Sequence, residues 1–183
     1  MPTITRLSGA NAISGTLPAA NINNTSIGNV TALPAGVGGK VLQVVHGIYG
    51  STTSTTSSSY VDTNLSASIT PSSTSNKIFI VASLSIGMYP SGIAAYPKFI
   101  AVRNSTLLTE TEKLIMNRDD ASRPNYQFGS VVNLNYLDSP SLTSSITYKI
   151  QFRNDASSGG TLYLNPSSGD YANLTLMEIS AWL

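Results

Sequence analysis

Three segments of this chain alternate apolar and polar residues with a period of two, and this pattern restricts the fold more than any other feature. The segments are Val61–Ile69, Ile78–Ile86 and Ile146–Phe152. Successive side chains of an extended strand point to opposite faces, so strict alternation predicts strands with one face buried. In the second segment Phe79 and Val81 are apolar as well, which predicts burial on both sides of that strand.

Shorter runs predict the remaining strands. They are Val41–Val45, Phe99–Arg103, Val131–Leu137, Leu162–Leu164 and Leu174–Trp182. The Ser/Thr tract Ser51–Ser59 predicts a loop. The segment Leu107–Arg123 holds seven charged residues; it predicts either one helical turn around Glu112–Met116 or a long solvated loop. Eight or nine strands without a long helix predict an all-β fold, an antiparallel β-sandwich of jelly-roll type with an extended N-terminal arm.

The first part of the chain has a different composition. Between Leu7 and Gly39 there is no charged and no aromatic residue. Its isolated apolar residues include Ile13, Leu17, Ile22, Ile27, Val30 and Leu33. Single aliphatic side chains bury too little area to offset the ~1–2 kcal/mol per residue of backbone ordering. We expect residues 1–39 to form an assembly arm that binds grooves of other proteins, or else a loose tail without function. Residues 40–183 are expected to form one β-sandwich domain.

The composition disfavours several classes of function. Only 10% of the residues are charged and the net charge is +1, whereas nucleic acids and anionic membranes select basic surfaces. There is no cysteine, so neither disulfides nor thiolate chemistry are expected. The most apolar window, Ile78–Ile86, is too short to span a bilayer. The N-terminus lacks the apolar run of a secretory signal.

Catalytic and metal sites find little support. His46 is the only histidine and lies in an apolar run, where a packed or interface histidine is expected. No Gly-x-Ser-x-Gly motif accompanies it, and one histidine without cysteine does not predict a metal site within one subunit. A glycan-cleaving enzyme needs two carboxyl groups ~5–10 Å apart. Glu110 with Glu112, and Asp119 with Asp120, are the candidates, but basic residues interleave them and indicate a solvated segment. The second pair lacks the regular ligand spacing of a calcium site. No cofactor is expected.

Three tyrosines in predicted loops, Tyr89, Tyr96 and Tyr126, are candidate receptor contacts because tyrosine rings stack on sugars. Tyrosine is also common at protein interfaces and at core edges.

The last predicted strand changes phase, since Leu174 and Leu176 lie on one face and the following apolar residues lie on the other. Those residues are Met177, Ile179, Ala181 and Leu183. Either a β-bulge lies near Leu176, or both faces of the strand are covered. In the second case the four residues are a candidate subunit interface.

Several segments are similar to a known class of proteins. Gly39–Val45, Tyr60–Thr63, Leu65–Ile78 and Leu137–Pro140 resemble bacteriophage fibre and appendage proteins, especially those of cyanophages and other aquatic phages. Ala20–Gly28 resembles the segments that precede such domains. The resemblance implies a homotrimer on the virion surface, with an N-terminal part that attaches to the particle and a β-rich C-terminal knob. It carries no catalytic motif.

The resulting functional prediction is a non-enzymatic virion protein, assembled in the host cytoplasm. It would be a short trimeric fibre or appendage that binds a capsid or tail protein through its arm and contacts the host surface, including its glycans, through its knob. Because the chain has no repeated shaft, a capsid decoration (cement) protein or head fibre is the alternative. A glycan-degrading tail enzyme is a remote alternative.

Overall fold

A computed structural model describes residues 40–89, 94–110, 116–117, 128–154 and 160–181. Its twelve described strands are β1 Val41–Tyr49, β2 Thr53–Thr55, β3 Val61–Ile69, β4 Lys77–Tyr89, β5 Ala94–Ala95, β6 Pro97–Arg103, β7 Thr106–Glu110, β8 Met116–Asn117, β9 Phe128–Asp138, β10 Ile146–Asn154, β11 Thr161–Leu164 and β12 Ala172–Ile179. The described residues all belong to the unit that begins at Gly38. The residues predicted to form the arm lie outside the described ranges.

The strands form two main antiparallel sheets. In the first sheet the order β1-β12-β4 continues through β9 on the far side of β4, and β11 and β2 extend it beside the last residues of β4. The second sheet has the order β3-β10-β6-β7, and β5 pairs with β8 in a separate small sheet.

The strand pairs identify the fold. Four antiparallel pairs, β1–β12, β3–β10, β4–β9 and β6–β7, join strands progressively closer together in the sequence. Numbered one to eight, these strands have the orders 1-8-3-6 and 2-7-4-5, which is the arrangement of a jelly roll. The predicted all-β, jelly-roll sandwich is therefore confirmed.

Alternating residues of both sheets form a single hydrophobic core. Every even-numbered residue of β4 from Ile78 to Met88 is buried, as are alternate residues of β3, β10 and β12. Phe99 of β6 and Phe152 of β10 stack at the centre, with ring centroids 6.4 Å apart. The period-two segments of the sequence thus supply the core, as elementary strand geometry requires. Phe79 and Val81, predicted to be buried on the second face of β4, are only half-buried.

Two predicted loops contain strands. Within the Ser/Thr tract 51–59, β2 pairs with β11 and buries Thr55; threonine has a high strand propensity, which the prediction of a loop underrated. Within Leu107–Arg123, the first residues belong to β7. A two-residue turn at Asn104 and Ser105 joins β6 to β7, because Asn104 adopts a left-handed φ of 52° that asparagine tolerates. The predicted helical turn at 112–116 lies mostly outside the described residues.

The β-bulge proposed near Leu176 is not there. Between Asn173 and Glu178, β12 pairs with β1 and with β4 without a register shift. The shift lies in β1, between Val41 and Gln43. The phase of β12 is regular because Glu178 occupies the fourth inward position after Ala172, Leu174 and Leu176. Met177 and Ile179 therefore lie on the outer face of the sheet.

Candidate functional site

The outer face of the first sheet, the face turned away from the second sheet, carries a row of apolar residues across four strands. Val44 of β1 pairs with Met177 of β12, Met177 with Phe79 of β4, and Phe79 with Leu137 of β9. Directly opposed residues of antiparallel strands share a face and contact one another. These four residues are called the apolar row below.

The apolar row is open to solvent. Its end members expose 58% (Val44) and 50% (Leu137) of their surface, and the two central members are half-buried. Val41, 55% exposed, pairs with Ile179 on one side of the row, and Val81 lies on the other side. At ~4.8 Å between strands, the row spans about 14 Å between the Cα atoms of its ends. Exposed apolar residues that adjoin one another in this way form a candidate interaction surface.

His46 lies in the next row of the same face. It pairs with Thr175, which pairs with Val81 of β4, and its Nδ1 lies 3.0 Å from Thr175 Oγ1. The predicted alternatives were a packed or an interface histidine, and the structure places His46 on the surface between Val44 and Ile48. The hydroxyl beside His46 is that of Thr175, in the middle of β12.

A buried carboxylate fixes the strand that carries Met177. Glu178 is 1% exposed. Its Oε1 accepts hydrogen bonds from Ser72 N (2.6 Å), Ser72 Oγ (2.7 Å) and Asn76 Nδ2 (2.6 Å), and its Oε2 accepts one from Gln43 Nε2 (2.6 Å). Burial pushes the pKa of Glu178 upward, but these hydrogen bonds outweigh it and hold the pKa below its ordinary value. The cluster fastens β1, β12 and the loop before β4 to one another.

A second buried cluster fixes the strand that carries Leu137. Arg103 Nη1 donates to both carboxylate oxygens of Asp138 at 2.9 Å, and Tyr148 donates to Asp138 Oδ2 at 2.7 Å. Burial, followed by the hydrogen bond to Asp138, raises the pKa of the Tyr148 hydroxyl well above its ordinary value. Because β9 belongs to one sheet and β6 and β10 to the other, this cluster joins the two sheets. The Glu178 and Asp138 clusters therefore hold in place the strands that carry the apolar row.

The predicted interface residues are only partly brought together. Met177 and Ile179 lie on the outer face, beside one another. Ala181 follows the end of β12, where its N–H donates to Asn76 Oδ1 at 3.1 Å, so its position is set by the Glu178 cluster. Leu183 lies outside the described residues.

The two candidate receptor tyrosines that the structure describes lie in different surroundings. Tyr89 ends β4 and packs edge-to-face against Tyr163 of β11, with ring centroids 5.4 Å apart. Tyr96 is half-buried between β5 and β6. Tyr126 lies outside the described residues.

Other predicted residues fall largely outside the described ranges. This holds for the six apolar residues of the arm and for Glu112, Asp119 and Asp120. Glu110 ends β7 in the second sheet, opposite Ile100.

The sequence analysis missed Val44, Leu137 and Tyr163 as site residues. Val44 and Leu137 were counted only as strand residues, and Phe79 was expected to be buried. One signal was available in the sequence. In β1 and β4 both the odd-numbered and the even-numbered positions include apolar residues, and only one of these two sets can face the core. Cross-strand register, which brings the four residues into line, is not readable from one sequence.

Within the residues that the structure describes, no group of three histidine, cysteine or carboxylate side chains is placed to hold a metal ion. No helix of the described ranges is long and apolar enough to cross a membrane.

Comparisons with known proteins add little. No protein-family model matches the chain, and no curated protein does. Nineteen chains of solved structures match by shape. One is dimeric latent PorU from Porphyromonas gingivalis, with a TM-score of 0.37 and 10% sequence identity, over 80% of this chain and 14% of that chain. The chain therefore spans about one seventh of the length of that protein.

Proposed function

We propose that this chain is a non-enzymatic structural protein of a bacteriophage virion. It forms a short homotrimeric fibre or appendage, attached to a capsid or tail protein by residues 1–39, and it presents the sandwich of residues 40–183 to the host surface. The assignment to a phage is supported by the resemblance of Gly39–Val45 and Leu65–Ile78 to fibre and appendage proteins. The assignment to an assembly is supported by the apolar row.

The apolar row is the observation that carries the proposal. Four apolar side chains in register across four strands give a face that water solvates poorly, and burying them against another surface is favourable at about 25 cal/mol per Å². A chain that acted alone would gain nothing from exposing Val44 and Leu137 by half or more of their surface.

The occupant of this face is a second copy of the chain. The row holds no charged residue, so it selects no oppositely charged partner, and the apolar faces of identical copies can converge on a common symmetry axis. A net charge of +1 on 183 residues leaves little repulsion between copies. Closed cyclic symmetry is the usual arrangement of identical subunits, and a three-fold axis fits the fibre resemblance.

A capsid decoration protein or head fibre is the second candidate. The main described strands all belong to one sandwich, and the described ranges contain no repeated shaft, which suits a decoration protein as well as a short fibre. Quantitative densitometry of purified virions separates the two candidates, because a decoration protein is present in many times more copies than a fibre. Release of reducing sugar from host polysaccharide would instead indicate a glycan-degrading enzyme.

The test is a change of charge within the apolar row. Val44→Asp should convert the oligomer into folded monomers, since one carboxylate per subunit would otherwise be buried without a partner. Leu107→Asp is the matched control: Leu107 is also 58% exposed, but it lies on β7 in the second sheet. The measurements are the mass by light scattering and the secondary structure by circular dichroism.

A monomeric wild-type chain would contradict the proposal. So would a Val44→Asp variant that keeps the wild-type mass, or an equal loss of mass in Leu107→Asp.

A further inference from the structure

A second feature of the outer face lies at the other end of β4, away from the apolar row. Gly87 of β4 pairs with Gly129 of β9 on one side and with Tyr163 of β11 on the other. Two neighbouring positions on the outer-face side of the sheet therefore carry no side chain. Tyr163 is the next residue in the same row.

The packing of the chain does not require a glycine at position 129. A Cβ atom at this position would meet only Ile86 O, at 3.8 Å, which is an ordinary contact. Gly47 shows the contrast, since a Cβ there would come within 2.6 Å of Ser66 O and force β1 away from β3. Glycine weakens a strand by roughly 0.5–1 kcal/mol relative to alanine, and a glycine inside a strand often marks a place where a ligand or another backbone approaches closely.

Gly129 lines an open cleft, whereas its partner Gly87 is buried between the neighbouring strands. One part, of about 320 Å³, is lined by Thr52, Tyr89, Tyr163 and Pro166. A second part, of about 460 Å³, is lined by residues that include Ser85, Gly129, Ser130, Pro166 and Asp170. Pro166 lines both parts, so they lie side by side and form one groove over the sheet.

The chemistry of the groove suits polyhydroxylated ligands. Two tyrosine rings give apolar faces and hydroxyl groups at one end. Serine residues and a carboxylate line the other end together with the exposed Val131, so polar groups and apolar surface alternate as on a sugar ring. Asp170 Oδ2 accepts a hydrogen bond from Ser167 N at 3.0 Å, which holds the carboxylate in place. A carboxylate is a strong acceptor for hydroxyl donors.

The charges of the groove decide the class of ligand. Among the described residues that line the two parts there is no lysine, arginine or histidine. Asp170 therefore repels phosphates, sulfates and acidic sugars without a compensating cation. The groove is also open to solvent, as binding to a chain of sugar units requires.

We infer that the groove between Tyr163 and Asp170 is a binding site for a neutral saccharide chain, which approaches the sheet closely over Gly129. The inference rests on the proposed function only for the source of the saccharide, the host surface. Saccharide rings stack on Tyr163 and Tyr89, and their hydroxyls donate to Asp170.

The test fills the groove without removing a contact of the fold. Gly129→Val should fold as well as the wild type, because a Cβ fits and valine is a better strand former, yet its side chain occupies the floor of the groove. Tyr163→Ala removes the stacking surface instead. Asn133→Val is the matched control, since Asn133 lies on the outer face of the same strand but does not line the groove.

The probes are an array of purified bacterial surface polysaccharides, neutral and acidic, with titration calorimetry on the polysaccharides that bind. Wild-type chain and Asn133→Val should bind neutral polysaccharides equally, and both groove variants should lose about tenfold or more in affinity, roughly 1.4 kcal/mol or more. No binding to any neutral polysaccharide, preference for acidic ones, or unchanged binding by Gly129→Val would overturn the inference. None of these results alters the mass measured for Val44→Asp, so the two proposals fail separately.

Discussion

Glu178 carries a carboxylate at a position where the period-two pattern of its strand calls for an apolar side chain. Four hydrogen bonds from Gln43, Ser72 and Asn76 compensate for its burial. This one residue also explains why the sequence analysis left two alternatives open for the last strand. With a carboxylate at an inward position, the apolar residues Met177 and Ile179 fit either a bulge that turns them inward or an outward face, and the structure has the outward face.

Glu178→Gln should destabilise the subunit by about 2 kcal/mol at pH 7. In the wild-type chain both side-chain oxygens of Glu178 accept hydrogen bonds. Glutamine replaces one of these oxygens by an N–H₂ group, which cannot accept, so buried donors lose their acceptor. Equilibrium urea unfolding measures the loss.

The same variant should also respond less to acid. The folded-state pKa of Glu178 is lowered, so the carboxylate contributes stability above its unfolded pKa of about 4.3. That contribution is lost as the pH falls through the lower folded value. Between pH 5 and pH 3 the wild-type chain should therefore lose more stability than Glu178→Gln, and parallel profiles would contradict this assignment.

At the scale of the element, alternation in the sequence was sufficient to find β3, β4 and β10, because each has one face in the core. It failed for β2 and β7, which are short edge strands: β2 consists of Thr and Ser only, and β7 packs a single leucine, Leu108, against the core. Edge strands bury little, so their sequences carry only a weak periodic signal. The groove tyrosine Tyr163 was missed for a related reason: it is the outward residue of a four-residue strand.

Leu176 and Met177 are adjacent in β12 but lie on opposite faces of the strand, so their substitution distinguishes the inner face from the outer face. Leu176→Ala should cost about 2–5 kcal/mol of unfolding free energy, because Leu176 is fully buried. Met177→Ala should cost less than about 1 kcal/mol within a single subunit, because Met177 lies on the outer face. Both changes are measured on the Val44→Asp background, so that dissociation does not contribute to the free energy of unfolding. Similar costs for the two variants would show that β12 is not in the register described here.

At the scale of the whole molecule, strand content and strand length predicted the sandwich, and the order 1-8-3-6 and 2-7-4-5 confirms the jelly roll. The candidate site was less predictable. The apolar row depends on three cross-strand registers, and the groove depends on Gly129 of β9 and Tyr163 of β11, which are brought to either side of β4. Such juxtapositions arise from long-range pairing, which no local pattern encodes.

The central claim, that copies of this chain meet through the apolar row, is tested most directly by distances between subunits. The chain has no cysteine, so a single introduced cysteine carries one spin label per subunit. Asn135→Cys places the label beside the row on β9, and Leu107→Cys places it on the second sheet.

Pulsed dipolar spectroscopy should give one short intersubunit distance for the Asn135 label, since faces that pack lie ~10 Å apart and a three-fold axis makes all pairs equal. The Leu107 label should give a clearly longer distance. A shorter distance at Leu107 than at Asn135, or no intersubunit coupling at Asn135, would contradict the account.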